Sequence, residues 1–343
     1  MNIGGVLTET ARRAPERTAT IFGDARRSYG ELNARANRLA SALKEGGLRQ
    51  GDRVAILQRN CPELLETLFG VFKAGAVAVP INARLHPKEY QYIVDHAGAR
   101  VVIFTEEFIG GIESIRGDLP SVERFICVGA ARPGLEAYEA VLLTGRSSIE
   151  DVSVTPDDVA WLFYTSGTTG RPKGAMITHG NLRFMTRQYF EEVYRLDEGD
   201  LVIHAGPLTH GSGLWAVPIT AGGAAQVIPE NVRFDPEHIF RLIDRHRATK
   251  IVFVAPTMIT MLLNSPALDK HDLSSLRFIG YGGSPMYVED LKRTIKRLGP
   301  VLCQIYGQGE CPMTISMLPP ADHVVTGDLR LDARLASAGK PRR

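Results

Sequence analysis

The sequence is poor in the features that usually tie a small protein together or send it elsewhere. Its 343 residues include four cysteines, at 61, 127, 303 and 311, and no two of them form a CxxC pair. That excludes a disulfide framework and a thiolate zinc site, and reads as reduced thiols, mostly in the core, of a cytoplasmic protein. Charge of one sign is lacking too: 40 Lys and Arg face 38 Asp and Glu. Nothing in that balance calls for a nucleic acid or an anionic membrane as partner. Long apolar runs are missing as well. The start, MNIGGVLTETARRAPER, has no continuous apolar stretch and is not a signal peptide. The longest uncharged run, 205–229, contains three Pro and five Gly, which argues against a membrane helix. It reads as a buried, loop-rich segment beside a site. No repeat of fixed period is present.

What remains is an ordinary globular composition, 44% apolar and 23% charged. The length suits about two domains. Ser28-x-x-Glu31 spells a capping box ahead of a helix whose Leu32, Ala36, Leu39 and Leu43 share one face. VAIL (54–57), AVAVP (76–80) and VVIF (101–104) read as strands, with helices opened by Pro62 and Pro87 between them. Strand–helix alternation at this spacing implies right-handed parallel crossovers. Residues 130–155 read as a connector. The alternation resumes with strands at 159–165, 175–178, 201–204, 224–228, 251–255, 277–282 and 302–307 and helices near 181–194, 235–246, 256–264 and 286–298. Asp235-Pro236 is an N-cap and first-turn pair. The expected fold is α/β, with two packed subdomains of mixed, largely parallel sheets flanked by helices. The boundaries are 1–155 and 156–320, and 321–343 starts a third, barrel-like part that stays incomplete.

One stretch carries chemistry on its face: YTSGTTGRPKG, residues 164–174. It follows a strand and precedes another. Its glycines, Gly167 and Gly170 among them, leave backbone N–H groups free and allow a ligand to approach closely. Thr165, Ser166, Thr168 and Thr169 add hydroxyls, and Lys173 adds a mobile positive charge. Those parts can hold a polyphosphate. The pattern is not a Walker A loop, because Lys173 follows Pro172 and precedes Gly174. Nor is the chain a serine hydrolase by motif: Ser166, Ser212 and Ser284 do not sit in GxSxG.

This loop resembles the signature of the adenylate-forming superfamily, which includes acyl- and aryl-CoA synthetases, luciferase and the adenylation domains of peptide synthetases. Companion motifs follow in the family's order. PLTH (207–210) is similar to its Pro-x-x-His segment, and the resemblance puts His210 near the acyl carboxylate. YGGSP (281–285) is similar to the turn against adenine, which implies contacts from Gly282, Gly283 and Ser284 and places Tyr281 beside the acyl group. QIYGQGE (304–310) is similar to Gln-Gly-Tyr-Gly-x-Thr-Glu. This implies a nucleotide contact for Gln304, Gly307 and Gly309, stacking of Tyr306 on adenine, and Mg²⁺ at Glu310. Ile305 stands where the family has Gly. Gly309 stands where it has a Thr that touches the α-phosphate, so that contact is either missing or supplied by the Gly309 N–H.

The resemblance implies ATP-dependent activation of a carboxylic acid, with Lys173, Glu310 and His210 as catalytic residues and CoA as acceptor. The pocket candidates His210, Gly211, Gly213, Trp215, Pro256 and Tyr281 are small or apolar, which suits a fatty or aryl acid. The family's ribose motif, hinge and small C-terminal domain follow the segment similar to SAGKP (337–341), so the sequence is expected to hold a truncated large domain. Thr326-Gly327-Asp328 precedes that segment and reads as a β-turn rather than a ribose site. The alternative is a non-catalytic nucleotide-binding fragment. The implied partners are ATP, CoA and a small carboxylate; exposed apolar edges would favour self-association.

Overall fold

The computed structural model describes residues 2–130, 132–165, 170–193, 196–328 and 332–342. Two mixed, mostly parallel sheets carry the fold. A seven-stranded sheet runs Glu136–Ala137, Arg124–Val128, Ala99–Thr105, Arg53–Leu57, Val77–Pro80, Val159–Thr165, Lys173–Thr178. Only its last pair is antiparallel. A nine-stranded sheet runs Lys340–Pro341, Ser316–Leu318, Leu302–Tyr306, Phe278–Gly282, Lys250–Val254, Leu201–His204, Ala225–Val227, Thr18–Phe22, Ala25–Ser28. Its five central pairings are parallel and its ends antiparallel.

Sheet membership crosses the division drawn from sequence order. The hairpin Thr18–Ser28 joins the second sheet, and strands Val159–Thr165 and Lys173–Thr178 join the first. The connector is partly ordered, with strand Glu136–Ala137 and helix Tyr138–Thr144. Strands Ser316–Leu318 and Lys340–Pro341 extend the nine-stranded sheet, and no closed barrel forms among the described residues.

Strand alternation decides which core each residue enters. Val54 and Ile56 face the largest core, with helices Gly5–Arg13, Tyr29–Glu45 and Pro62–Lys73, while Ala55 and Leu57 face helices Pro87–Ala97 and Ile109–Ile115 on the other side. The capping box forms as expected: Ser28 Oγ accepts from Glu31 N at 3.2 Å, and Glu31 Oε2 accepts from Ser28 N at 2.7 Å. Asp235 Oδ1 likewise accepts from Glu237 N at 3.1 Å.

The uncharged run is where the structure departs most from expectation. Rather than loops, residues Gly211–Gly222 form a buried helix with Pro218 inside it. Leu214, Ala216 and Val217 pack toward the seven-stranded sheet, and Trp215 and Ile219 toward the nine-stranded one. A helix clamped between two sheets needs no polar face, so its sequence shows no amphipathic period. Tertiary packing outweighs the hydrogen bond that Pro218 cannot donate. No helix among the described residues is long and apolar enough to cross a membrane.

Candidate active site

The buried helix begins where strands of both sheets end. Thr165, Gly282 and Tyr306 are each the last residue of a parallel strand. Ligands in open α/β sheets bind outside such carboxyl ends. Between them lies a cavity of about 210 Å³. Its walls come from Phe163 and Thr165, the helix start at His210, Gly211, Leu214 and Trp215, the strand-end residues Gly280–Gly283, and the bend at Gly307–Gly309.

His210 is half-buried at the helix N-cap position. Its ring meets Phe163 edge-on at 4.7 Å between centroids and Phe253 at 5.6 Å. Burial lowers its pKa, so the neutral imidazole prevails at physiological pH. Asn60 fixes the approach to this residue: its Oδ1 accepts from Leu208 N at 2.8 Å and its Nδ2 donates to Gly206 O at 3.0 Å. Behind the helix start, His204 Nδ1 lies 2.8 Å from Ser212 Oγ and Nε2 lies 2.9 Å from Gln226 Oε1.

The phosphate-type loop is closed as a hairpin, with Thr165 paired antiparallel to Lys173. Lys173 and Glu310 are both exposed, and neither side chain has a hydrogen bond or ion pair among the described residues. Gly309 sits directly against the hairpin: a Cβ there would lie 2.9 Å from Phe163 Cδ1 and from Thr165 Cγ2. The base of the hairpin is braced from the helix Pro87–Ala97. His96 Nδ1 lies 2.7 Å from the Tyr164 hydroxyl, and the Arg171 guanidinium stands over the Tyr92 ring.

Of the residues expected at the site, His210, Gly211, Trp215, Tyr281, Gly282, Gly283, Gly307, Gly309 and Thr165 line the cavity. Ser166, Gly167, Thr168 and Thr169 lie outside the described residues, and Gly170 is exposed just past them. Gly213 packs instead against Leu208 O and Trp161, and Pro256 is buried in the first turn of its helix. Tyr281 contributes backbone only. Its side chain turns with Ile279 into the opposite core, where its hydroxyl donates to Gln304 Oε1 at 3.3 Å and lies 3.0 Å from His323 Nε2. Ser284 and Tyr306 are exposed and are not among the residues lining the cavity. The tripeptide Thr326–Asp328 is folded on itself: Asp332 Oδ1 accepts from Thr326 N at 2.8 Å, and Gly327 takes φ +80°.

Sequence reasoning missed several lining residues, among them Phe163, Leu214, Phe253, Gly280 and Met313. Phe163 was within reach, since alternation puts it on the face of Thr165. Gly280 likewise shares a face with Gly282. Phe253 gave no signal, because it stands at an irregularity in its strand.

A second, larger cavity of about 970 Å³ opens across the segment 204–209 from the first. Its lining includes Arg59, Arg84 and Arg233 together with Ile239, Met258 and Met261.

Comparison with known proteins fits this geometry. The family described as AMP-binding enzyme matches residues 7–342, and the chain belongs to that family. It is 35% identical to feruloyl-CoA synthase of Amycolatopsis over 99% of its own length and 64% of that protein's. It is also 35% identical to indoleacetate–CoA ligase of Aromatoleum aromaticum, over 94% of this chain and 62% of the relative. The anthranilate CoA ligase AuaEII in complex with anthranoyl-AMP superposes with TM-score 0.91 at 27% identity, over all of this chain and 64% of that one. The N-terminal domain of FACL13 from Mycobacterium tuberculosis gives 0.87 at 25% identity, covering 99% of this chain and 82% of that domain. The chain therefore spans a little under two-thirds of the length of these curated relatives.

Proposed function

We propose that this chain supplies the nucleotide- and acid-binding parts of an acid–thiol ligase that activates a fatty or aryl carboxylate as its acyl-adenylate. The observation that carries this reading is the cavity at the strand ends, with the Thr165–Lys173 hairpin on one side and the neutral His210 on the other. A carboxylate oxygen attacks the α-phosphorus of ATP, the α,β-bridging bond breaks, and pyrophosphate leaves. Lys173 and the hydroxyl-rich loop hold the β- and γ-phosphates as negative charge builds on the leaving group. His210 presents an uncharged polar edge to the acid in an otherwise aromatic wall.

Glu310 fits a Mg²⁺ role, because it is an exposed carboxylate without a partner among the described residues. Those residues form no cluster of three or more His, Cys, Asp or Glu side chains. This matches the usual way Mg²⁺ is held, by one or two carboxylates together with substrate phosphates. When bound, the ion would offset charge on the departing pyrophosphate. The arginines of the larger cavity suit the phosphates of CoA as it approaches the acyl group. Dependence on ATP and CoA favours the cytoplasm as the compartment.

The test is ATP–Mg²⁺ stabilisation in a thermal melt, followed by pyrophosphate release with a panel of acids. Lys173→Ala is expected to weaken ATP binding about tenfold or more, the usual value of a charge-assisted contact. Unaltered ATP affinity in that variant would remove Lys173 from the site. Nucleotide binding without pyrophosphate release would leave a non-catalytic binder.

A further inference from the structure

Two non-glycine residues of the cavity wall have a left-handed backbone, Met313 at φ +59° and Phe253 at φ +55°, and only Phe253 is aromatic. That conformation is a genuine outlier for an aromatic residue and persists only where its surroundings impose it. Here the surroundings can be named. The residue sits at a register irregularity between Ile251 and Val254, within an otherwise parallel strand. The irregularity turns the ring out of the sheet and into the space before the buried helix. One ring edge lies on Gly206, where a Cβ would come within 2.6 Å of Cδ1. The other lies on Gly211, where a Cβ would fall among the ring carbons. Both positions must be glycine for the ring to stand where it does.

Gly206 lines the larger cavity and Gly211 the smaller. The ring therefore stands between the two. We infer that Phe253 is the end wall of the acyl pocket and restricts it to compact, planar aryl carboxylates, by closing it off from the larger cavity, whose lining includes Ile239, Met258 and Met261. This rests on the adenylation reading above and narrows its substrate class. Three further observations agree. The smaller cavity, about 210 Å³, falls below the roughly 300–1,000 Å³ of drug-sized ligand sites. Phe163, His210, Phe253 and Trp215 give it aromatic sides, suited to stacking or edge contact with a flat ring. Gly280 adds flatness below Trp215, where a Cβ would lie 3.1 Å from the indole.

The test uses the chain as it stands and non-hydrolysable acyl-adenylate mimics, benzoyl- and dodecanoyl-sulfamoyl adenosine, with affinities from calorimetry. The wild-type protein is expected to favour the benzoyl mimic by at least about tenfold, a discrimination within reach of a shaped apolar pocket. Phe253→Gly removes the ring and suits the backbone conformation. It should shift the dodecanoyl-to-benzoyl affinity ratio by about tenfold or more toward the long chain. Phe253→Leu should shift it in the same direction by less, and serves if the glycine variant does not fold. Equal affinity of the wild type for both mimics, or a ratio that neither variant moves, overturns the wall. Absence of binding by both mimics and by ATP overturns the adenylation reading and the wall with it.

Discussion

At Gly309 the missing side chain matters more than any side chain present. The motif around it is similar to one with Thr at this place, and the bare glycine first looks like a lost phosphate contact. The structure supplies a steric reason. With Phe163 and Thr165 each 2.9 Å from a would-be Cβ, the strand leaves no room for a larger residue. Gly309→Thr is therefore expected to lose stability by about 1–3 kcal/mol, the usual cost of overpacking, and not to improve nucleotide affinity. Thermal melts with and without ATP would show this. The same substitution over Phe163→Ala should recover part of the loss, since the ring is the main obstacle. A Gly309→Thr protein as stable as the wild type would contradict the packing account.

The element that organises the site is the buried helix Gly211–Gly222, and its start is fixed from below by His204. Ser212, His204, Gln226 and Thr220 form a chain of hydrogen bonds in which every residue is fully buried. Ser212→Ala would strand a ring nitrogen without a partner. The expected cost is about 1–3 kcal/mol, read from a denaturant midpoint. A loss below about 0.5 kcal/mol would mean that a water replaces the hydroxyl. None of this helix was legible in the sequence. Its Gly and Pro content points to loops, and a helix buried on all sides shows no period to betray it. By contrast, the helix after Ser28 announced itself through its cap and one-sided leucines. The phosphate-type loop was legible for a different reason: small, hydroxylated and cationic residues crowd into eleven positions and have no other common use. Phe253 was invisible because strand alternation fails at the irregularity that makes the residue useful.

At the scale of the whole molecule, two buried histidines couple stability to acid. His179 Nδ1 accepts from Ile3 N at 3.1 Å and ties the N-terminal segment to the start of helix His179–Gln188. Burial pushes both His179 and His204 down to about 4. In the unfolded chain each returns to about 6.5, so protons bind the unfolded state more readily. Stability is then complete above pH 6.5 and falls as pH drops toward 4, on the order of 3 kcal/mol per histidine by the lower limit. Urea midpoints at pH 7.5, 5.5 and 4.5 would trace the decline, and a flat profile would contradict it. His204→Gln should flatten part of the curve, since His210 and His323 are lowered by burial as well. The strand-end cavity has a different global property, drawn from its glycines at 211, 280, 282, 283, 307 and 309. Much of its wall is main chain, so those surfaces freeze no rotamers when a ligand arrives and have none to swing aside for a poor fit. Diversification at such a wall runs one way. A substitution at any of those six positions adds bulk and trims nothing, and at all but Gly283 a Cβ would first meet the protein's own atoms. Descendants of this protein that gain larger substrates would have to gain them at wall positions that carry side chains, Phe163, Leu214, Trp215, Phe253 and Met313 among them.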